Sequence, residues 1–345
     1  MRENLPGEGV EIPRDRGIPR EKYLSRRKEP GSAFYTMEIA KTIFNFLVFP
    51  GFLFTATIGC LAGWVDRKVT ARVQWRKGPP WWQNFADFIK LLGKETIIPS
   101  GCSRFTFLLS PIVGLSGVTL VSTITWLSLS SGKGFAGDLI VVIYLLMFPS
   151  LAVIMGGFAS GNPLASLGAS REIKLLLSYE VPFVLALLVP VIRSGGILSL
   201  NGLLEYQMKN GIFLNSTSGF IAFVVVLLCV QAKLGLVPFD MAEAETEIMA
   251  GPYIEYSGAP LAVFKLTKWM MLFVLPMFVI DLFMGGIVFK GIHILYGILK
   301  FSIILLTILI RNTNPRLRID QAIKFFWGPC AILALFSILL AIKGY

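Results

Sequence analysis

Residues that commonly hold metals are scarce in this sequence. The only histidine is His293, and the four cysteines, at positions 60, 102, 229 and 330, stand singly without a Cys-x-x-Cys pair. Zinc sites, iron–sulfur clusters and nickel–iron centres need grouped thiolate or imidazole ligands. A phosphate-binding glycine loop and a nucleophile–base motif are also missing. We therefore expect no cofactor, metal or catalytic residue in this chain, which alone is not a complete enzyme.

Charged side chains are also few. They make up 15% of the 345 residues, whereas an average soluble domain has about 25%. Apolar runs that are long enough to cross a bilayer as helices recur along the chain, and their lack of apolar/polar alternation excludes a membrane barrel. The sequence predicts an all-α polytopic membrane protein with helices near 38–64, 105–129, 138–159, 174–192, 218–236, 260–281, 291–310 and 326–342.

The net charge of +11 is unevenly distributed. Basic residues crowd the loops near 65–104, 160–174 and 311–325, while the intervening loops hold few. This alternation is typical of the positive-inside bias rather than of a nucleic-acid surface, and it places these loops and 237–259 in the cytoplasm. The polar tail 1–37 has no signal-peptide core. It is either an arm on partner subunits or a loosely attached tail, ahead of a helical membrane domain at 38–345.

Residues 81–95 are too polar to span a membrane. Trp81, Trp82, Phe85 and Phe88 recur at helical spacing, with Asn84 on the opposite face. The pattern predicts an amphipathic helix, which either lies at the membrane surface or packs against a partner subunit. Just upstream, the helical spacing of Lys68, Arg72 and Arg76 predicts a basic stripe that suits lipid phosphates, an acidic docking surface or simply water.

Five carboxylates lie between two apolar runs, within residues 237–260, here called the acidic segment. They are Asp240, Glu243, Glu245, Glu247 and Glu255. If 240–250 is helical, the first, second and fourth share one face, and their mutual repulsion raises at least one pKa. Acidic groups beside hydrocarbon are typical of proton or ion paths. A solvated acidic loop is the alternative, but the neighbouring residues are too apolar to favour it.

Further ionisable residues lie at membrane depth. Glu180 follows Ser178 and Tyr179 in one predicted helix, and Lys265 and Lys268 lie one turn apart in another. These lysines can neutralise buried carboxylates, or they can extend to the membrane surface. Their position well inside the apolar run favours pairing.

Four segments resemble those of the quinone-chamber membrane subunit of respiratory complex I, NADH dehydrogenase subunit 1, and of its relatives in energy-converting hydrogenases. They are Asp66-Arg67-Lys68-Val69 with Gly78-Pro79 and Ala86-Asp87, Gly168-Ala169 through Ser178-Tyr179-Glu180, the run from Pro238 to Gly258, and Arg311 through Pro315-Arg316 to Asp320-Gln321. They span 66–321 in the family's order.

Two departures distinguish this sequence from the quinone-reducing branch. The stretch between Gly78-Pro79 and Ala86-Asp87 is shorter than in that branch, and Lys268 stands where an acidic residue is common. Both features are similar to the ferredoxin-dependent branch, which comprises membrane-bound nickel–iron hydrogenases and sulfane sulfur reductases. The resemblance therefore favours a non-catalytic subunit of a ferredoxin-oxidising, ion-translocating complex.

The resemblance also implies roles for residues and partners. The charged path would consist of Asp240, Glu243, Glu245, Glu247, Glu255 and Glu180, with Lys265 and Lys268 as countercharges, and the peripheral arm would dock on Arg67, Lys68, Arg72, Arg76, Trp81 and Trp82. Expected partners are iron–sulfur subunits, large and small subunits of hydrogenase type, antiporter-like membrane subunits, lipid and, indirectly, ferredoxin. Iron–sulfur clusters, with or without a nickel–iron centre, would belong to those partners. The expected location is the cytoplasmic membrane of a prokaryote.

Two other functions stay open from the sequence. One is the quinone-chamber subunit of a quinone-reducing complex I. The other is a stand-alone ion carrier, which also explains buried charge but does not explain the resemblance. Carboxylates serve protons and sodium alike, so the residues favour neither ion.

Overall fold

A computed structural model describes residues 32–132, 134–287, 297 and 299–345, and over these ranges the chain is helical, without strands. The helices are α1 Ser32–Leu47, α2 Phe52–Val73, α3 Gln83–Leu92, α4 Arg104–Ser131, α5 Asp138–Leu145, α6 Phe148–Ala159, α7 Pro163–Arg193, α8 Leu200–Asn210, α9 Thr217–Lys233, α10 Glu245–Ile248, α11 Gly258–Phe283, α12 Ser302–Thr313, α13 Ile319–Phe325 and α14 Ala331–Ile342. A π-helical turn, Phe326–Cys330, joins the last two.

The apolar helices confirm a polytopic all-α membrane protein. Six segments of the described chain are long and apolar enough to cross a membrane: Ile39–Val73, Arg104–Ser130, Asp138–Ala159, Pro163–Arg193, Gly258–Phe283 and Ile319–Ile342. Helices α9 and α12 are apolar but shorter. The chain divides into two units, residues 1–43 and 44–345. Of the first unit, only the beginning of α1 is described.

The predicted helix near 38–64 is interrupted, and its predicted start was wrong. Helix α1 begins at Ser32, so residues 32–37 of the predicted tail are helical, while the rest of the tail lies outside the described residues. The helix ends before Pro50, which has no N–H to donate. A Cβ on Gly51 would lie 1.8 Å from the Phe46 carbonyl oxygen, so only glycine fits this turn. Helix α2 then continues to Val73, beyond the predicted end.

Other boundaries also differ from the sequence prediction. The run 138–159 consists of α5 and α6, because Pro149 cannot donate a backbone hydrogen bond to the preceding turn. Helix α7 begins at Pro163 rather than near 174. The Asn162 side chain caps this start by accepting a hydrogen bond from the Leu164 N–H at 2.8 Å. The prediction near 291–310 lies partly outside the described residues. Helices α4, α9 and α11 agree with their predictions to within a few residues.

Helix α11 is the centre of the fold. Every residue from Met270 to Phe283 is buried, on all sides of the helix. A helix that is apolar all round belongs in a protein core or in a membrane, and here α2, α4, α3, α9 and α12 pack against α11. Its first half carries Lys268, so the most buried of the six described spanning helices also supplies one charge of the site.

The loops predicted to be cytoplasmic meet at one end of the helices. Arg311 pairs with Asp66 at 2.7 Å, which joins the end of α12 to α2. The Leu317 N–H donates to the Pro238 carbonyl at 3.0 Å. The Ile97 N–H donates to the Ser257 hydroxyl at 2.9 Å. The acidic segment therefore lies among the basic loops, as the positive-inside pattern predicts.

Close packing of α2 against α11 gives a test of the fold. A Cβ on Gly59 would lie 2.9 Å from the backbone of Met270, so Gly59→Ala must push the two helices apart. We expect it to lower the free energy of unfolding by about 1–3 kcal/mol, as overpacking does. The measurement is the thermal unfolding midpoint in detergent. The control is Gly328→Ala, whose Cβ meets nothing within 4 Å, and equal midpoints for the two variants would contradict this packing.

Candidate functional site

The acidic segment is mostly irregular, so the predicted helix over 240–250 is wrong. Only Glu245–Ile248 forms a helical turn, α10. Gly251 has a φ of +53°, and a Cβ there would lie 2.0 Å from the Ala242 carbonyl oxygen, so the chain folds back tightly on itself. Helix α7 approaches this fold closely at Gly168, where a Cβ would lie 2.6 Å from Pro252. The segment is thus fixed against α7.

Three carboxylates of the segment each pair with a cation from a different part of the chain. Asp240 pairs with Arg316 at 2.8 Å, Glu243 with Lys268 at 2.7 Å, and Glu247 with Arg171 at 2.6 Å. If these carboxylates lay on one face of a helix, they would lie next to one another, and their repulsion would cost free energy where water is scarce. The irregular fold lets each carboxylate contact an opposite charge.

The other predicted members are held more loosely. Glu255 accepts a hydrogen bond from the Asn162 side chain. Glu245 and Lys265 are exposed, and neither forms an ion pair with a described residue. Lys268 pairs with a carboxylate as predicted, whereas Lys265 only lines a cavity near Glu243 and Glu245.

Three cavities surround the segment, and two of them share the Glu243–Lys268 pair. The central cavity, about 300 Å³, is lined by charged residues Asp66, Asp240, Glu243, Glu245, Lys268, Arg311 and Arg316. The side cavity, about 370 Å³, is lined by Glu243, Glu245, Lys265 and Lys268 among others. The outer cavity, about 260 Å³, includes Arg171, Glu247, Arg316, Arg318 and Asp320.

A fourth, inner cavity of about 50 Å³ extends the site toward the helices. Its charged lining residues are Glu172, Lys233, Glu243 and Lys268. Glu172 is buried, and Ser150, whose hydroxyl hydrogen-bonds the Tyr179 hydroxyl at 3.2 Å, lines the same cavity. Sequence reasoning missed this residue because the predicted helix began near 174. The recurrence of Gly168, Glu172, Tyr179 and Phe183 on one face of a helix starting at Pro163 would have indicated it.

Beyond the inner cavity lies the predicted membrane-depth residue Glu180. It pairs with Lys233 at 2.9 Å, and the lysine side chain has no solvent exposure. The ammonium also lies 4.7 Å from the Phe183 ring centroid and 5.2 Å from that of Tyr179, which adds cation–π stabilisation. Lys233 lines the inner cavity. Glu180 is thus connected to that cavity through its ion pair with Lys233.

The pKa of Asp240 is raised. Burial is the largest cause, the Arg316 guanidinium opposes it, and the nearby Glu243 carboxylate adds to the rise. The predicted repulsion among the carboxylates is therefore present, but it is secondary to burial. A carboxyl with a raised pKa is more easily protonated, and one Asp240 oxygen has no hydrogen-bond partner within the described chain.

The predicted basic stripe is only partly formed. Lys68 and Arg72 lie on α2, whereas Arg76 lies beyond the helix, which ends at Val73 because Trp75 adopts a positive φ of +58°. Lys68 donates to the Gly78 carbonyl at 3.4 Å, and Arg72 and Arg76 are exposed.

Helix α3 confirms the predicted amphipathic helix in position but not in its faces. Asn84, assigned to the polar face, is fully buried and donates to the Cys60 carbonyl at 2.9 Å. Arg67 pairs with Asp87 at 2.7 Å and so ties α2 to α3. Burial raises the pKa of Asp87, but hydrogen bonds from Arg67 and Gln83 outweigh it, so the net pKa is lowered.

The surface before α3 is rich in exposed tryptophan. Trp81 and Trp82 are more than half exposed, and Trp75, which sequence reasoning did not single out, is 97% exposed. Together with the exposed Arg72 and Arg76 they form what we call the aromatic–basic surface.

Within the described ranges, no three His, Cys, Asp or Glu side chains group so that they could hold a metal ion.

A family model described as NADH dehydrogenase matches residues 45–342. The chain belongs to this family. It is 34% identical to the H-type subunit of the NADH-quinone oxidoreductase of Geobacillus sp. (strain WCH70) over 298 residues, covering 81% of this chain and 87% of the relative. It is 35% identical to the corresponding subunit of Dehalococcoides mccartyi (strain CBDB1) over 275 residues, covering 76% of each.

The fold is also similar to a solved structure, that of the membrane-bound sulfane sulfur reductase, an archaeal respiratory membrane complex. The TM-score is 0.75 at 27% identity, with 84% of this chain and 96% of that chain covered. The chain is therefore an H-type membrane subunit of a complex I-related complex, and such subunits work with partner subunits. This confirms the family that the four sequence segments indicated.

The ion pair of Asp240 gives a test by titration. Arg316→Gln removes the positive charge that opposes burial, so we expect the pKa of Asp240 to rise further. The measurement is the pH midpoint of the infrared carboxyl absorption that Asp240→Asn removes. Arg318→Gln, on a neighbouring exposed arginine that forms no ion pair with Asp240, should leave the midpoint in place. A midpoint that stays unchanged in Arg316→Gln would refute this assignment.

Proposed function

We propose that this chain is the non-catalytic membrane subunit of a ferredoxin-oxidising, ion-translocating complex of the hydrogenase or sulfane sulfur reductase type, located in the cytoplasmic membrane of a prokaryote. It anchors the peripheral redox arm and couples electron transfer to the movement of protons or sodium. The observation that carries the proposal is the Glu243–Lys268 pair, which lines the central, side and inner cavities. A single ion pair thus connects the acidic segment with the buried charges of α7 and α9.

The charges around this pair supply a coupling mechanism. Asp240, Glu243 and Glu247 are held by cations from three separate elements, so each carboxylate can exchange its cation for a proton as the local field changes. A one-electron redox step in an adjacent subunit changes the charge there by one unit, and this changes the electric field at the carboxylates. Its effect is larger in a partly buried site than in bulk water. Glu245, Glu255 and Lys265 line or border the same space and complete the proposed path, and Glu180 continues it.

The aromatic–basic surface supports the anchoring role. Tryptophan and arginine are enriched where proteins bind one another, and here exposed Trp75, Trp81 and Trp82 lie beside Arg72 and Arg76. We assign this surface to contact with iron–sulfur and hydrogenase-like subunits, with Arg67 and Lys68 holding its shape. Iron–sulfur clusters, with or without a nickel–iron centre, belong to those partners. The remaining exposed apolar helix faces suit lipid and antiporter-like membrane subunits.

The ferredoxin-dependent branch is favoured by the lining of the central cavity. Seven charged side chains face it, whereas a small-molecule site for an apolar ring and tail is mostly lined by hydrophobic and aromatic side chains. The likeness to the sulfane sulfur reductase supports the same branch. The curated relatives, however, are named NADH-quinone oxidoreductase subunits. A quinone-reducing complex is therefore the second candidate.

Inhibition distinguishes the two candidates. For the ferredoxin-dependent type, turnover of the intact complex with reduced ferredoxin should continue in the presence of quinone-site inhibitors and should yield hydrogen or sulfide. The measurement is product formation by the purified complex with and without the inhibitor. Full inhibition together with quinol formation would assign the chain to the quinone-reducing type.

Neutralising the carboxylate at the cavity junction tests the path. Glu243→Gln keeps the size of the side chain but removes its charge and its proton-accepting oxygen pair. We expect ion accumulation by the intact complex in liposomes to fall at least about tenfold, because a positioned proton-transfer group is lost. Glu205→Gln, on an exposed carboxylate of α8 that lines none of these four cavities, is the control. Wild-type accumulation in the Glu243 variant would refute the proposed path.

A further inference from the structure

The inner cavity contains a carboxyl that is buried and yet has no ion pair with a described residue. Glu180, Asp240, Glu243 and Glu247 each have a cation within 2.9 Å. Glu172 has no ion pair with any residue that the structure describes, and Ser150 lines the same cavity. It is the buried acidic group at the site whose proton can exchange without breaking a salt bridge.

Glu172 shares the inner cavity with members of two separate ion pairs. The other charged residues that line this cavity are Glu243 and Lys268, which form one pair, and Lys233. Lys233 is in turn bound to Glu180. The cavity of about 50 Å³ has room for a few water molecules, and water joins carboxyls that are too far apart for a direct hydrogen bond.

The charges of this cavity also discriminate between ions. A hard cation such as sodium must exchange its hydration water for several oxygen ligands. The inner cavity offers the carboxyl oxygens of Glu172 and Glu243, but a sodium ion there would also lie beside the ammonium groups of Lys233 and Lys268, and like charges repel strongly where little water is present. A proton can pass between the same carboxyls through bridging water, with no cation entering the cavity.

We propose that Glu172 is the proton-exchanging group that links Glu243–Lys268 to Lys233–Glu180, and that this part of the chain conducts protons and not sodium. The proposal rests on the function proposed above and deepens it. In one direction an O–H bond of protonated Glu243 breaks and its proton passes through water to the Glu172 carboxylate. A second transfer takes the proton from Glu172 to Glu180, while Lys233 keeps its own protons. The reverse order carries a proton the other way.

Several titratable and charged groups face Glu172 from the described elements that pack around it. They are the hydroxyl of Ser150 on α6, the phenol of Tyr179 on α7 itself, Lys233 on α9, Lys268 on α11, and Glu243 and Tyr253 in the acidic segment. Two cations and one other carboxyl therefore act on the titration of Glu172. A substitution at Glu172 must therefore leave these three charges in place.

Infrared difference spectroscopy on the intact complex tests the identity of the exchanging group. We expect a carboxyl absorption that disappears as the pH rises and shifts in heavy water. This absorption should be missing in Glu172→Gln. Replacing potassium by sodium at constant pH and ionic strength should leave it unchanged. A sodium-dependent shift would overturn the proton assignment. The presence of the same absorption in Glu172→Gln, or its absence from the wild type, would overturn the role of Glu172.

Transport by the complex in liposomes tests the role of the residue in the path. We expect Glu172→Gln to lower proton movement about a hundredfold, the scale contributed by a positioned proton-transfer group, and Glu172→Asp to keep most of it. Glu205→Gln is again the control, and co-purification of the partner subunits shows that each variant assembles. Loss of transport in Glu243→Gln but not in Glu172→Gln would refute this inference and leave the proposed function intact. Unchanged transport in both variants would refute both.

Discussion

The arrangement of the site depends on one electrostatic constraint: a carboxylate in an apolar protein needs an opposite charge or a proton close by. Three acidic residues of one short segment meet this constraint with cations from α7, α11 and the segment after α12. A fourth pair, Asp66–Arg311, joins α2 to the end of α12. These pairs are partly exposed, so each adds little to stability. Their effect is to select which loops meet, while burial of α11 supplies the stabilisation.

The sequence predicted the parts of the fold that follow from hydrophobicity alone. Long apolar runs located α4, α9 and α11, and the distribution of arginine and lysine identified the loops that meet at one end. Breaks within apolar runs were not predictable from length. Pro50 with Gly51 and Pro149 divide two runs that read as single helices. The early start of α7 was hidden because its first residues are mostly polar or small, although several of them face protein.

The site was predictable in its members but not in its geometry. Five carboxylates and Lys268 stood out because charge is rare in this chain. Their grouping followed from helical spacing, and that rule failed because tertiary partners offered better contacts than a helix did. Asn84 shows the same limit: on a helical wheel it belongs to the polar face, yet it is buried because the Cys60 carbonyl and Arg67 satisfy its amide. Local periodicity carries no information about such distant partners.

Two neighbouring residues of α7 contact opposite sides of the site. Arg171 binds Glu247 in the outer cavity, and Glu172 faces the inner cavity. Successive residues of a helix point about 100° apart, and they move together because they belong to the same rigid turn. A small roll of α7 about its axis would therefore pull on the outer salt bridge and reposition the inner carboxyl at the same moment. Any change in the orientation of this turn would therefore alter the contacts at both cavities together.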